Sequence, residues 1–176
     1  MNFDPQKHHR RSIRLKGYDY SQAGAYFVTI VTWQREILFG EIVDGEMVLN
    51  EFGETVREEW ERTEIVRPYV KLGKYVIMPN HVHGILVFVD DGVGATRRVA
   101  PTLQSGSLGA VMGQFKSIVT KRINGLQNVS GRPIWQRNYD ERIIRNEREM
   151  DRIHRYIESN PSMWAEDDEN PDRVIR

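Results

Sequence analysis

The amino-acid sequence predicts an α+β sandwich built on one mostly antiparallel sheet. Three observations carry that expectation. Runs of β-branched and aromatic residues read as strands, apolar residues at helical spacing read as helices, and the two alternate as strand, hairpin, helix, paired strands, helix, strand, helix. A chain of 176 residues is long enough to bury a real core as one domain.

The first strand is Tyr26-Phe-Val-Thr-Ile-Val-Thr-Trp33, preceded by the turn-like Ser21-Gln-Ala-Gly24. Glu41 to Leu49 follows as a hairpin, because Asp44-Gly45 separates two apolar runs. Asn50 caps a helix over Glu51 to Thr63, with Phe52, Val56 and Trp60 at helical spacing and early glutamates at its positive end. Tyr69 to Met78 and His81 to Val89 are two further strands, interrupted by Pro79-Asn80. Asp90 to Ser107, rich in Gly, Asp, Arg and Ser, reads as a loop. Ser107 caps a helix to about Ile123, with Val111, Phe115, Ile118, Val119 and Arg122 on its repeating faces and Gly125 closing it. Ile134 to Ile144 reads as extended. Asn146-Glu-Arg-Glu149 then starts a helix carrying Met150, Ile153, Tyr156 and Ile157, which ends before Pro161. This order fits the ferredoxin-like (RRM-like) arrangement.

Composition excludes several classes. A hydrophobic share of 39% beside 28% charged residues is that of an ordinary globular chain, not a disordered one. No apolar run is long enough to span a bilayer, so no membrane partner is expected. The start, MNFDPQKHHRRS, lacks the apolar core of a secretory signal. The absence of cysteine removes disulfides and thiolate metal sites, and these features together favour the cytoplasm. The net charge is zero, but its distribution is uneven. Residues 1–17 form a basic arm with Lys7, Arg10, Arg11, Arg14 and Lys16, residues 18–164 hold the predicted domain, and residues 165–176 are an acidic tail. The stretch from Arg97 to Arg148 is basic again and includes Lys116. Such charges are often only a solvated face, yet a basic band can also hold a phosphate backbone. The candidates for that role are Arg10, Arg11, Arg14, Lys16, Lys116 and Arg152.

The chemistry concentrates in Met78-Pro-Asn-His81-Val82-His83-Gly84. Residues two apart on a strand share a face and stand roughly 6.7 Å apart along the chain, so both imidazoles can lean toward one ion. Val82 then points into the core, and Gly84 is expected to leave room beside the pair for a bulky ligand. Two histidines on a strand are usually ordinary polar residues. Here an almost wholly apolar strand carries two neighbouring ionisable groups that repel when protonated, and a bound cation removes that conflict. Imidazoles with added oxygen donors suit magnesium or manganese. Tyr156 and Asn160 lie four apart on the last helix, about 40° apart around its axis, so an amide oxygen and a phenol can meet the same ion. The plainer alternatives are a half-buried core tyrosine and a helix C-cap. Arg152, one turn before Tyr156, can meet a phosphate.

These residues resemble the REP-associated tyrosine transposases, relatives of the single-tyrosine HUH transposases of insertion sequences (IS200-like). The matching segments are Tyr18-Asp-Tyr-Ser, Tyr26-Phe-Val-Thr-Ile-Val-Thr, Leu38-Phe-Gly-Glu, Tyr75-Val-Ile-Met-Pro-Asn-His-Val-His-Gly, Gln114-Phe-Lys-Ser, Trp135-Gln-Arg and Arg155-Tyr-Ile-Glu-Ser-Asn-Pro161. They extend over most of the chain, from about Tyr18 to Trp164. The resemblance implies a ferredoxin-like HUH nuclease domain with His81 and His83 as metal ligands, Asn160 as a third, and Tyr156 as nucleophile. It also implies Mg2+ or Mn2+ as cofactor and single-stranded DNA near palindromic hairpins as substrate. One departure is Arg142, in Asn138-Tyr-Asp-Glu-Arg142-Ile-Ile-Arg145, where many relatives carry histidine.

The expected reaction is cleavage and rejoining of DNA through a 5′-phosphotyrosine link, in a protein associated with the nucleoid. No Gly-x-x-x-x-Gly-Lys-Ser/Thr loop is present, in keeping with bond energy stored in that link. Trp33, Trp135 and Tyr139 are candidates to stack on unpaired bases. Two rivals remain at the level of sequence: a hairpin-binding host factor that does not cleave, and a metal phosphoesterase in which water attacks. Monomer and homodimer are both open, since related insertion-sequence enzymes exchange tyrosine helices between two copies.

Overall fold

A computed structural model describes residues 22–89 and 106–173. The basic candidates Arg10, Arg11, Arg14 and Lys16, and most of the loop expected over residues 90–107, lie outside the described residues. The elements are β1 (Gly24–Val31), β2 (Gly40–Val43), β3 (Glu46–Leu49), α1 (Glu51–Val66), β4 (Val70–Met78), β5 (His81–Phe88), α2 (Leu108–Leu126), β6 (Asp140–Ile144) and α3 (Glu147–Ser159). Four strands form one antiparallel sheet in the order β4-β5-β1-β6, and β2-β3 is a separate hairpin. Without that hairpin and α3, the chain runs β-α-β-β-α-β, the ferredoxin-like arrangement.

Strand alternation sorts the side chains into two layers. Tyr26, Val28 and Ile30 of β1 and Val82, Leu86 and Phe88 of β5 face one way, into a core closed by Val56 and Trp60 of α1 and Val111, Met112, Phe115, Val119 and Ile123 of α2. The opposite face carries Phe27, Val76, Ile85, Val87 and Ile144, covered by Met150, Ile153 and Ile157 of α3. The sheet therefore lies between a pair of helices and a single one. His81 and His83 have the odd parity of Ile85, which puts them on the α3 side.

The local signals act as their chemistry requires. Asp44 and Gly45 both have positive φ (52° and 79°), the geometry of a tight two-residue hairpin turn. The Asn50 side chain accepts hydrogen bonds from the Phe52 and Gly53 amides, Ser107 from Ala110, and Asn146 from Glu149.

Three expectations need correction. β1 stops at Val31, and Trp33–Arg35 forms a 3-10 turn in which Gln34 and Arg35 take positive φ (53° and 59°). Gly125 does not close α2, which runs on to Leu126, and Asn128 beyond it takes the left-handed conformation (φ 53°). Only the end of the stretch from Ile134 to Ile144 is a strand, with Trp135 adding an isolated bridge to Thr32.

Gly84 departs furthest from expectation. It makes no room for a ligand, because it faces α1, where a Cβ would meet the Trp60 ring at 2.2 Å. Trp60 is fully buried and cannot yield cheaply. Gly84→Ala is therefore expected to cost about 1–3 kcal/mol of stability, read as a lowered denaturant midpoint at unchanged slope. A stability equal to that of the parent would place the tolerance in a mobile Trp60.

Candidate metal and nucleophile site

The site forms where the end of β1, the β4–β5 turn, α3 and the segment after α3 meet. The turn is fixed by backbone bonds: Pro79 O accepts from the Leu38 and Phe39 amides at 2.9 and 3.0 Å, and Asn80 O accepts from Thr32 at 2.8 Å. His81 is fully buried and His83 nearly so (3% exposed), with ring centroids 4.5 Å apart.

Their ring orientations have identifiable causes. The fully buried Asn80 amide donates to Arg35 O (3.1 Å) and Glu169 O (2.8 Å). With both amide hydrogens directed at carbonyls, Asn80 Oδ1 is the atom 2.8 Å from His81 Nδ1, so that nitrogen carries the proton. Nε2 on the other side of the ring faces Asp167 Oδ2, 4.0 Å away. His83 is held in the same manner, with Nδ1 at 2.8 Å from Thr29 Oγ1 and Phe27 stacked on the ring at 5.5 Å between centroids. Such outer partners set the tautomer of a metal-ligating histidine.

Tyr156 reaches the same place from α3. Its hydroxyl lies 3.1 Å from His83 Nε2, and its ring meets Phe27 edge-on at 6.1 Å. Ile153 and Ile157 anchor this turn of the helix against the sheet. Burial, and then the negative charge of Asp167, push the Tyr156 phenol up to about 12, while a hydrogen bond with Asn160 acts in the opposite direction. The phenol is protonated at neutral pH.

Asn160 is 3% exposed, its Nδ2 donates to Asp167 Oδ2 at 3.3 Å, and its Oδ1 is buried with no hydrogen-bond partner. A buried amide oxygen without a hydrogen-bond partner, on a side chain that meets Asp167, is available as a ligand atom. The ligand atoms of His81, His83 and Asp167 lie within 4.8 Å of one another. Two imidazole nitrogens, one carboxylate and one amide oxygen fit a divalent cation of the magnesium or manganese kind.

The structure thus gathers His81, His83, Tyr156 and Asn160, all singled out in the sequence, and adds Asp167. Sequence reasoning missed Asp167 because it sits in the stretch read as an acidic tail. That stretch folds back through a 3-10 turn, Pro161–Glu166, and rests on the site. Trp164 packs 6.0 Å from the His81 ring, and the nearly buried Glu169 pairs with Arg35 at 3.1 Å. A tryptophan in an otherwise polar run was the available signal of an anchored segment.

The other candidates are elsewhere. Lys116 belongs to the opposite layer, where its ammonium donates to Gln136 O and Arg137 O (2.6 and 2.9 Å) and burial lowers its pKa. Arg152 is exposed on α3, 3.7 Å from Glu149. Trp135 is core and Tyr139 packs against the α1–α2 side, away from the histidines, whereas Trp33 is 41% exposed. Arg142, on the α3 side of β6, pairs with Glu149 at 2.7 Å.

One solved structure similar to this chain in fold is that of a REP-associated tyrosine transposase bound to a REP hairpin. That structure matches over 81% of this chain and 68% of its own at a TM-score of 0.55 and 19% identity, so the fold is shared. An uncharacterized protein of Haemophilus influenzae is 39% identical over 168 residues, 91% of this chain and 92% of its own length. The chain belongs to one family with that protein. No family model matches it.

Proposed function

We propose that this protein is a metal-assisted DNA strand transferase of the REP-associated tyrosine transposase kind, with Tyr156 as nucleophile. One observation carries the reading: the Tyr156 hydroxyl lies 3.1 Å from His83 Nε2, beside a cluster of His81, His83 and Asp167 with the donor chemistry of a divalent cation site. His81, His83 and Asp167 would hold the ion, with the orphaned Asn160 oxygen as a further donor. When bound, such a cation polarises the scissile phosphate and neutralises charge on its oxygens.

The chain's own residues supply the rest. α3 aims the phenol oxygen, Phe27 and Ile157 hold its turn of helix, and Asn80 and Thr29 fix the two imidazoles. The Tyr156 oxygen forms an ester bond to phosphorus while the 3′-oxygen leaves with its bonding pair and takes up a proton. The phenol's own proton is lost to solvent. A later 3′-hydroxyl reverses the exchange and joins new ends. The substrate in this reading is single-stranded DNA beside a palindromic hairpin, and the basic arm with Arg10, Arg11, Arg14 and Lys16 follows the hairpin backbone. Only Arg145 and Asn146 separate β6 from α3, which supports a reading in which Tyr156 serves the histidines of its own chain. No helix among the described residues is long and apolar enough to cross a membrane, and the substrate would place the protein with the nucleoid.

The test is a denaturing gel of protein incubated with end-labelled hairpin oligonucleotides and Mn2+, scored for a covalent protein–DNA band. Absence of the band across a panel of the host's palindromic hairpins would overturn the reading. A phenol raised to about 12 also fixes a pH signature. Each unit below that value leaves about tenfold less phenolate. Where the phenolate is the attacking species, the rate of adduct formation should climb with pH through the neutral range. A rate falling between pH 6 and 9, in protein shown to stay folded, would point to a protonated group as the limiting one.

A further inference from the structure

The outer surface of α3 separates its charges. At about 100° per residue, Arg148, Arg152 and Arg155 fall within about 60° of one another, and Tyr156 stands about 40° beyond Arg152. Glu147, Asp151 and Glu158 gather on the other flank, where Glu158 pairs with Lys74 of β4. A merely solvated helix face interleaves its signs to form i,i+4 pairs. Here Arg148 and Arg152, four apart, are like-charged, and Asp151 and Arg155, the opposite pair at that spacing, form no ion pair.

The arginine flank continues onto the sheet. Glu149 is held below the usual carboxylate range by the Arg145 amide and then by Arg142. It lies 2.7 Å from Arg142 of β6 and 3.7 Å from Arg152. This one carboxylate, itself mostly buried, therefore moors an arginine on the edge strand beside an arginine on the helix. Among the described residues, no ion pair engages Arg148 or Arg155, and both are exposed.

We infer that the arginine flank of α3, continued by Arg142 and Arg145, is the track on which successive phosphates of the DNA strand lie as it is led to Tyr156. The inference rests on the reading of DNA as substrate and goes beyond it in naming the surface and the polyanion's path. A run of phosphates relieves the repulsion among the arginines, and the acidic flank turns the strand away from β4. Arg142, charged at any physiological pH, extends this track onto the edge strand.

The experiment is fluorescence anisotropy of a labelled single-stranded oligonucleotide carrying a palindromic hairpin, titrated with protein at several NaCl concentrations. The double variant Arg148→Gln/Arg155→Gln removes two charges and breaks no ion pair. It is expected to bind about tenfold more weakly at low salt, with the slope of log affinity against log salt reduced by about 1.5. The acidic-flank control Glu147→Gln/Glu158→Gln should show no fall in that slope. Wild-type affinity and slope in the arginine double variant, from a parent that forms adducts, overturn the track and leave the transferase reading standing. A parent that neither binds nor links to any hairpin overturns both.

Discussion

Tyr156→Phe is expected to abolish the covalent protein–DNA band while leaving DNA binding within about twofold of the parent. The change removes one oxygen from a ring that Phe27 and the neighbouring helix turn already hold, so the ring stays in place. What is lost is the atom that attacks phosphorus. Removing a nucleophile from a site of this sort lowers the rate on the order of 10⁴-fold or more. Tyr139 offers no substitute, since it packs on the other side of the sheet. Undiminished adduct from the variant would assign the nucleophile to another tyrosine. Strand cleavage that continues without any adduct would instead mean that water attacks, and the protein would be a phosphoesterase.

The second large effect is expected from the histidines. His81→Ala and His83→Ala should each remove saturable Mn2+ binding in a calorimetric titration, and cleavage with it. Both rings are buried, so each variant is first checked for folding by its unfolding curve. Asp167→Asn keeps the shape of the side chain and removes its charge, which makes it the sharper probe of the carboxylate. It should weaken Mn2+ binding at least tenfold if Asp167 is a ligand. Asn160→Ala tests the orphaned oxygen in the same titration. Metal affinity unchanged in both histidine variants would sink the proposed centre.

Much of this site is legible in the amino-acid sequence. The odd parity of His81 and His83 on an apolar strand puts them on one face, and the four-residue spacing of Tyr156 and Asn160 puts both on one side of a helix. What periodicity cannot encode is which face of the sheet each helix covers. That depends on long-range packing, with Met150, Ile153 and Ile157 choosing the side opposite Trp60. The same alternation assigns Gly84 to the face of Val82, away from the histidines, so an open space beside the pair conflicts with the strand's own geometry. Asp167 was beyond reach for a different reason. It arrives through a 3-10 turn with no repeating pattern, inside a run whose composition matches that of a solvated tail.

Asn80 joins pieces of chain 45 and 89 residues apart through one carboxamide. The sheet can pair and the helices can dock before Glu169 reaches its place, yet the imidazole of His81 gains its fixed orientation only once that last carbonyl is in position. In the proposed centre, competence to hold a cation would therefore come late, as a mark of a finished fold.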